Sequence, residues 1–215
     1  MPVLALIAYA LYGAVGFGIR AVVHHRRTGS TGFVGIAGSP PGSIEWLAGA
    51  AFVLALAGGV AAPLAQLVGL VEPWTGSSDL AVHALGAAVF AAGLAGTFWA
   101  QLAMGDSWRV GVDSAARTDL VASGPFRWVR NPIFSWMTIT GVGLVLLAPN
   151  ALAVASLAAL LIALEIQVRA VEEPYLTRTH GDAYRRYAAS TGRFLPGIGR
   201  LTTSGRPGGS RPAEG

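Results

Sequence analysis

The chain reads as an all-α polytopic membrane protein of about five transmembrane helices, with a C-terminal helical hairpin and short cytoplasmic helices. Three observations predict this class. Hydrophobic residues make up 53% of the 215 residues and charged residues 12%, whereas a soluble domain carries about a quarter charged residues. Apolar runs recur at lengths suited to a bilayer crossing, which takes roughly 20 residues. All 15 Lys and Arg residues are arginine, and they fall in alternate connections.

The first apolar run covers residues 2–19. It lacks a basic region before it and is followed by basic residues, so it reads as a spanning helix and not as a signal peptide. The second and third runs cover 46–70 and 79–104, and both are dense in small residues, among them Gly58, Gly59, Gly86, Gly93 and Gly96. Small residues let helix backbones approach closely where no hydrophobic force drives association, so these glycines are assigned to packing. The fourth run, 133–147, is short. Pro149 and Asn150 turn the chain into the fifth run, 151–168, because proline cannot continue a helix and asparagine tolerates turn geometry.

The connection 29–43 is rich in glycine, serine and proline and has no sustained period, so it is expected to be a flexible loop. Residues 105–131 are expected to be an amphipathic connection, with Trp108, Phe126 and Trp128 at headgroup level beside arginines. Pro174 disfavours a helical Glu173, so the fifth helix is expected to end or bend there and a short helix to begin. Asp182 is expected to cap a further helix through Ser190, with Gly192 beyond its end. Residues 1–200 then form a single integral membrane domain. Its N-terminal three-helix part is 1–104, its ligand-binding part 105–200, and 201–215 is a disordered tail.

His24–Arg27, the arginines of 109–130 and those from Arg169 onward share one side if the five spans alternate and the N-terminus lies outside. The opposite connections, VEPWTGSSD and APN, carry no arginine. Arginine-bearing loops face the cytoplasm, which puts the C-terminus inside. Abundant arginine and alanine without lysine suggest a bacterial plasma membrane. The basic face should also attract anionic membrane lipids. Nothing points to nucleic acid, and the oligomeric state cannot be read.

Absence of cysteine excludes disulfides, thiolate nucleophiles and cysteine metal sites. No histidines and carboxylates show metal spacing, so no metal is expected. His24 and His25 read as solvated, and His83 as a helix-to-helix hydrogen-bonding residue.

Chemistry concentrates in two segments, GPFRWVRNP (124–132) and RAVEEPYLTRTHGDAYRRYAASTGRFLP (169–196). An apolar hairpin joins them, so both emerge on one side of the bilayer. Glu165, Arg169, Glu172 and Glu173 stand at i, i+4, i+7 and i+8 along one helical stripe. Glu165 in lipid needs a partner, and Arg169 is the obvious one; a purely structural pair is equally compatible. Carboxylates at Glu172 and Glu173 can receive a hydroxyl or amino group, while arginines at 127, 130 and 193 can hold a ligand carboxylate. Tyr184 and Tyr187 suit either interfacial packing or ligand contact, and Arg185 with Arg186 suits lipid phosphate.

The ordered series GPFRWVRNP, hairpin, Glu-Glu, HGDAY, Tyr187 and GRFLP resembles the isoprenylcysteine carboxyl methyltransferase family and the related phospholipid methyltransferases, over about residues 105–196. The resemblance implies a small membrane enzyme that binds S-adenosylmethionine in a cytoplasm-facing site and methylates a lipophilic small molecule or lipid. Arg130 and Pro132 match the family's Arg-His-Pro motif. Asn131 stands at the histidine position, where it can hydrogen-bond but cannot titrate near neutral pH.

Glu172 and Glu173 match the paired acidic position; Gly181, Tyr184 and Tyr187 match the family's next segment, and Phe194 and Pro196 match its close. The implied cofactor residues are Gly124, Arg127, Arg130, Asn131, Pro132, Glu172, Glu173, His180, Tyr184, Tyr187 and Arg193. Arg130, Arg169 and Glu173 are the implied catalytic residues. A carboxylate or thiolate acceptor could be oriented by Arg130 or Arg169, and an amine or hydroxyl could lose its proton to Glu172 or Glu173. Two other readings stay open: a reductase using NADPH, like membrane sterol reductases, and a small transporter using Glu165 as an ion site.

Overall fold

The computed structural model describes residues 1–32, 40–74, 79–108 and 119–202. Five apolar helices form the bundle: α1 (Pro2–Thr28), α2 (Ile44–Leu67), α3 (Leu80–Met104), α4 (Pro132–Leu147) and α5 (Ala151–His180). A surface helix, α6 (Asp182–Ser190), comes after them. Four of the five are long and apolar enough to cross a membrane, and α4 is the shorter fifth, with 16 residues, or about 24 Å at 1.5 Å per residue. Ile7, Leu54, Leu85 and Ile162 are each more than half exposed, as suits a surface whose solvent is lipid. The parts of the 29–43 and 105–131 connections at 33–39 and 109–118, and the tail from 203, lie outside the described residues.

Side chains cap three helix starts. Ser43 accepts from Trp46 N (3.2 Å), Asp79 from Ala81 N (2.9 Å) and Asn150 from Ala153 N (2.8 Å), each satisfying an amide that has no partner inside its helix. Asn150 is fully buried and also donates to Gln66 Oε1 (2.9 Å) and Ala148 O (3.1 Å). It thereby ties the hairpin turn to the end of α2.

α3 and α4 form the most extensive helix pair, and glycine is the reason. A Cβ at Gly93 would lie 2.5 Å from Thr140 N, and one at Gly143 would lie 2.4 Å from Phe90 N. Both distances are shorter than van der Waals contact, so the two backbones touch where side chains normally intervene. The apolar core runs from Ala5, Ala8 and Tyr12 of α1 through Phe90, Leu144 and Leu147 to Leu160 and Leu164.

Two helices run further than the hydropathy predicts. α1 does not stop at Ile19 but continues through His24–Arg27 to Thr28, where Gly29 ends it with φ of +76°. Arg20 is tolerated because it faces protein: it is buried, donates to Gly105 O (2.5 Å) and lies 5.0 Å over the Trp108 ring. α5 runs on past Val168 and through Pro174, and the expected change of helix with a short α-helical segment begins at Glu173. Its backbone widens to a π-helix over Gln167–Glu172 and resumes as α-helix from Glu173. The wide turn lies just ahead of the proline, whose missing N–H leaves a carbonyl without its helical donor in any case.

Candidate functional site

The two charged segments meet at one end of the bundle. After a 3₁₀ turn at Gly124–Arg127 the chain extends, and Val129 bridges to Gly192. Arg130 N donates to Gly192 O (2.8 Å), Asn131 N and Nδ2 both donate to Arg193 O (3.1 Å each), and Ser135 Oγ donates to Phe194 O (2.6 Å). Tyr187 Oη closes the far side by donating to Phe126 O (2.6 Å). Segments about sixty residues apart are thus joined backbone to backbone, as the lipid-crossing hairpin requires. Gly192 fits because a Cβ there would lie 2.0 Å from Leu195 O.

A buried ion cluster lies at the centre of this junction. Glu173 Oε1 accepts from Arg130 Nη2 (2.7 Å) and Arg193 Nε (2.8 Å), and Oε2 accepts from Arg193 Nη2 (3.0 Å). Arg130 also donates to Ala188 O (2.9 Å), Thr191 O (2.5 Å) and Gly199 O (2.9 Å). Its side chain is 2% exposed. Hydrogen bonding to Glu173 pushes the Arg193 pKa further up, so the guanidinium stays charged. Arg130 and Glu173 therefore build the site's wall by engaging each other, and with Arg193 the cluster keeps one net positive charge.

Against this wall opens a cavity of about 520 Å³, within the range of roughly 300–1,000 Å³ that small-molecule sites occupy. Arg130, Asn131, Pro132, Glu172, Glu173, Tyr184 and Tyr187 of the sequence-derived set line it. Glu172 is met by Gln167 Nε2 at 3.4 Å. Tyr184 is buried, and burial pushes its phenol up to about 12; Tyr187 is raised further by the same cause. Both hydroxyls remain donors across the working pH range.

The other members of that set lie off the cavity wall. Arg193 sits behind Glu173. Arg127 is exposed and stacks over Trp128 at 4.5 Å. Gly124 opens the 3₁₀ turn with φ of +58°, a backbone role. His180 ends α5, just ahead of Gly181, whose φ of +54° turns the chain into α6. Arg169 forms a surface ion pair with Glu165, with side chains 59% and 43% exposed. Neither Glu165 nor Arg169 reaches the cavity, so the glutamate that a transport reading would need is a surface residue.

Several local expectations are corrected. Trp108 and Phe126 do not lie among headgroups; they are 2% and 7% exposed and line the cavity, leaving Trp128 at the surface. His24 is not solvated: α1 carries it into the protein, edge-on to Trp108 with ring centroids 5.7 Å apart. His83 Nδ1 meets Asp79 O (3.0 Å) within its own helix, not a neighbouring one. Asp182 is the first residue of α6 and accepts from Arg185 Nε (3.0 Å) and Nη2 (2.8 Å), which lowers its pKa, while Gly181 takes the cap position.

Sequence reasoning missed the far wall: Phe17 of α1, Glu45 and Phe52 of α2, and Gln101 and Met104 of α3. Gln101 had a signal, since an amide inside an apolar helix is costly unless it is hydrogen-bonded.

No curated protein sequence matches the chain significantly. The family model described as phospholipid methyltransferase matches residues 81–183, from the first turn of α3 through the hairpin to the start of α6. That span carries the Arg130 and Glu172–Glu173 motifs and leaves α1 and α2 outside. With its two motifs brought onto one cavity at the end of a lipid-exposed bundle, the segment 81–183 is similar to the phospholipid methyltransferase family.

Proposed function

We propose that the protein is a membrane methyltransferase, that its methyl donor is S-adenosylmethionine and that the acceptor is a lipophilic or lipid-linked molecule at the cytoplasmic face of a bacterial plasma membrane. The observation that carries this is the mixed lining of the cavity. Polar residues, among them Asn131, Glu172, Tyr184 and Tyr187, share it with apolar ones from the bilayer helices, Phe52, Leu56, Met137 and Leu164. A second cavity of about 200 Å³, bounded by Tyr9, Val60, Leu144 and Leu157, shares Phe17, Leu56 and Met137 with the first. A polar donor and an apolar tail can therefore meet at one depth.

The polar residues suit the cofactor. Glu172 can accept from a ribose hydroxyl or an amino group, and Asn131 and Tyr184 line the same cavity. When bound, the sulfonium supplies a methyl whose C–S bond breaks with its electron pair passing to sulfur, while an acceptor lone pair forms the new bond. The protein's part is to align the two molecules and exclude water. The Arg130–Glu173–Arg193 cluster fixes the wall that does this, so Arg130 and Glu173 act as positioning residues.

Titration calorimetry of the purified protein with S-adenosylmethionine tests the reading. Wild type should bind, and Glu172→Gln should weaken binding at least about tenfold, as loss of a hydrogen bond to a charged group implies. No binding by wild type, or identical binding by the variant, would overturn it. Methyl-labelled cofactor traced into a lipid extract of the native cells would identify the acceptor.

A further inference from the structure

Arg127 and Trp128, the part of the GPFRWVRNP segment that stays out of the cavity, lie against the lipid-facing side of α3. Trp99 of α3 is 43% exposed and Trp128 47%, and their ring centroids are 5.9 Å apart. Leu102, three residues further along the helix, is also exposed, so the indole pair continues an apolar surface that faces hydrocarbon. Trp99 precedes Met104, the last residue of α3, by five positions, or about 7.5 Å of helix rise. That puts the pair near the end of the span, where indoles gather at a bilayer surface. The Arg127 guanidinium lies 4.5 Å over the Trp128 ring.

The turn that carries them is fixed from the inside. Pro125 and Phe126 are buried, Phe126 O accepts from Tyr187 Oη (2.6 Å), and Val129 bridges to Gly192. Arg127 and Trp128 are therefore presented outward on a backbone that is already ordered, which lowers the entropic cost of binding. Arg127 forms no ion pair with any described residue, whereas Arg169 and Arg185 are engaged by Glu165 and Asp182. Of the two arginines stacked on rings among the described residues, Arg20 is buried against Trp108 and Arg127 is open to a ligand.

We propose that Arg127, Trp128 and Trp99 form a binding site for the head group of an acidic phospholipid in the leaflet on the arginine side of the membrane. The guanidinium takes the lipid phosphate in a bidentate pair. The indoles cover the first part of the acyl chains, and their N–H edges suit the ester oxygens at that depth. A zwitterionic head brings its own ammonium to its phosphate and competes with Arg127; an acidic one does not. This lipid is distinct from the methyl acceptor, since none of the three residues lines the cavity. The site stands whether or not the cavity holds S-adenosylmethionine.

The test is quenching of tryptophan fluorescence by brominated lipid, with the full-length protein in phosphatidylcholine nanodiscs. A minor fraction of the lipid is replaced by brominated phosphatidylglycerol or, in parallel, by brominated phosphatidylcholine. General contact with lipid quenches equally with both, so the excess with phosphatidylglycerol isolates selective binding. In wild type that lipid should be enriched about fivefold beside the indoles, as one arginine at a membrane surface implies, and should quench more at equal content. Arg127→Gln should abolish the excess and leave quenching by phosphatidylcholine unchanged. Arg186→Gln, which removes an exposed arginine of α6, should leave the excess intact. Equal quenching by the two probes in wild type would overturn the proposal. So would an equal loss in both variants, because the basic face would then attract acidic lipid as a whole and hold none at this site.

Discussion

Glu173→Gln is the sharpest perturbation of this fold. The substitution keeps the shape and removes the charge that holds Arg130 and Arg193 together. Three charge-assisted hydrogen bonds, at 2.7, 2.8 and 3.0 Å, converge on that carboxylate, and the side chains of the three residues are between 2% and 10% exposed. Glutamine can accept from one guanidinium, but its NH₂ then points at donors of the other. Breaking a buried ion pair by removing one partner costs about 3–5 kcal/mol, because the remaining charge is left uncompensated.

For a chain of this length roughly 2–4 °C of melting temperature is lost per kcal/mol, so a fall of about 10 °C is expected. Intrinsic-fluorescence thermal unfolding in detergent reads it. Glu165→Gln is the internal comparison, since that pair with Arg169 is largely exposed and contributes about 0–1 kcal/mol. A Glu173→Gln protein that melts within about 2 °C of wild type, or a Glu165→Gln protein that loses as much as Glu173→Gln, would refute the view that a desolvated ion cluster holds the two motifs together.

Gly93→Ala should destabilise the α3–α4 pair by about 1–3 kcal/mol or more, since its Cβ would lie 2.4 Å from Thr140 Oγ1 and 2.5 Å from Thr140 N and backbone must move. Gly13→Ala, with nothing within 4 Å, should leave the melting temperature nearly unchanged, and equal effects at the two sites would count against close helix approach as the cause. Tyr187→Phe removes the bond to Phe126 O and should cost about 1–2 kcal/mol. Limited proteolysis should then cut faster near residues 119–128, and an unchanged cleavage rate would show that this tether does not hold the segment.

The membrane class, the number of apolar helices and the shared side of the arginine segments come from the sequence alone. Hydrocarbon admits only a continuous helix of sufficient length, and arginine placement fixes which connections lie together. The pairing of Arg130 with the Glu172–Glu173 motif was legible for the same reason: a hairpin through lipid must return to the side it left. Nothing local could say which of two adjacent glutamates points at the arginines and which lines open space, because that depends on the helix phase after the π-helical stretch ahead of Pro174.

Only the tertiary structure decided that Arg127, Arg169 and His180 stand off the cavity while Phe17, Glu45 and Gln101 line it. Phe17 and Glu45 belong to helices outside the family segment, and all three meet the site by packing across the bundle, at sequence separations that periodicity does not reach. Gln101 shows the division most clearly. Its sequence says that a polar amide sits in an apolar helix, and the fold alone supplies its partner, the Gly16 carbonyl of α1.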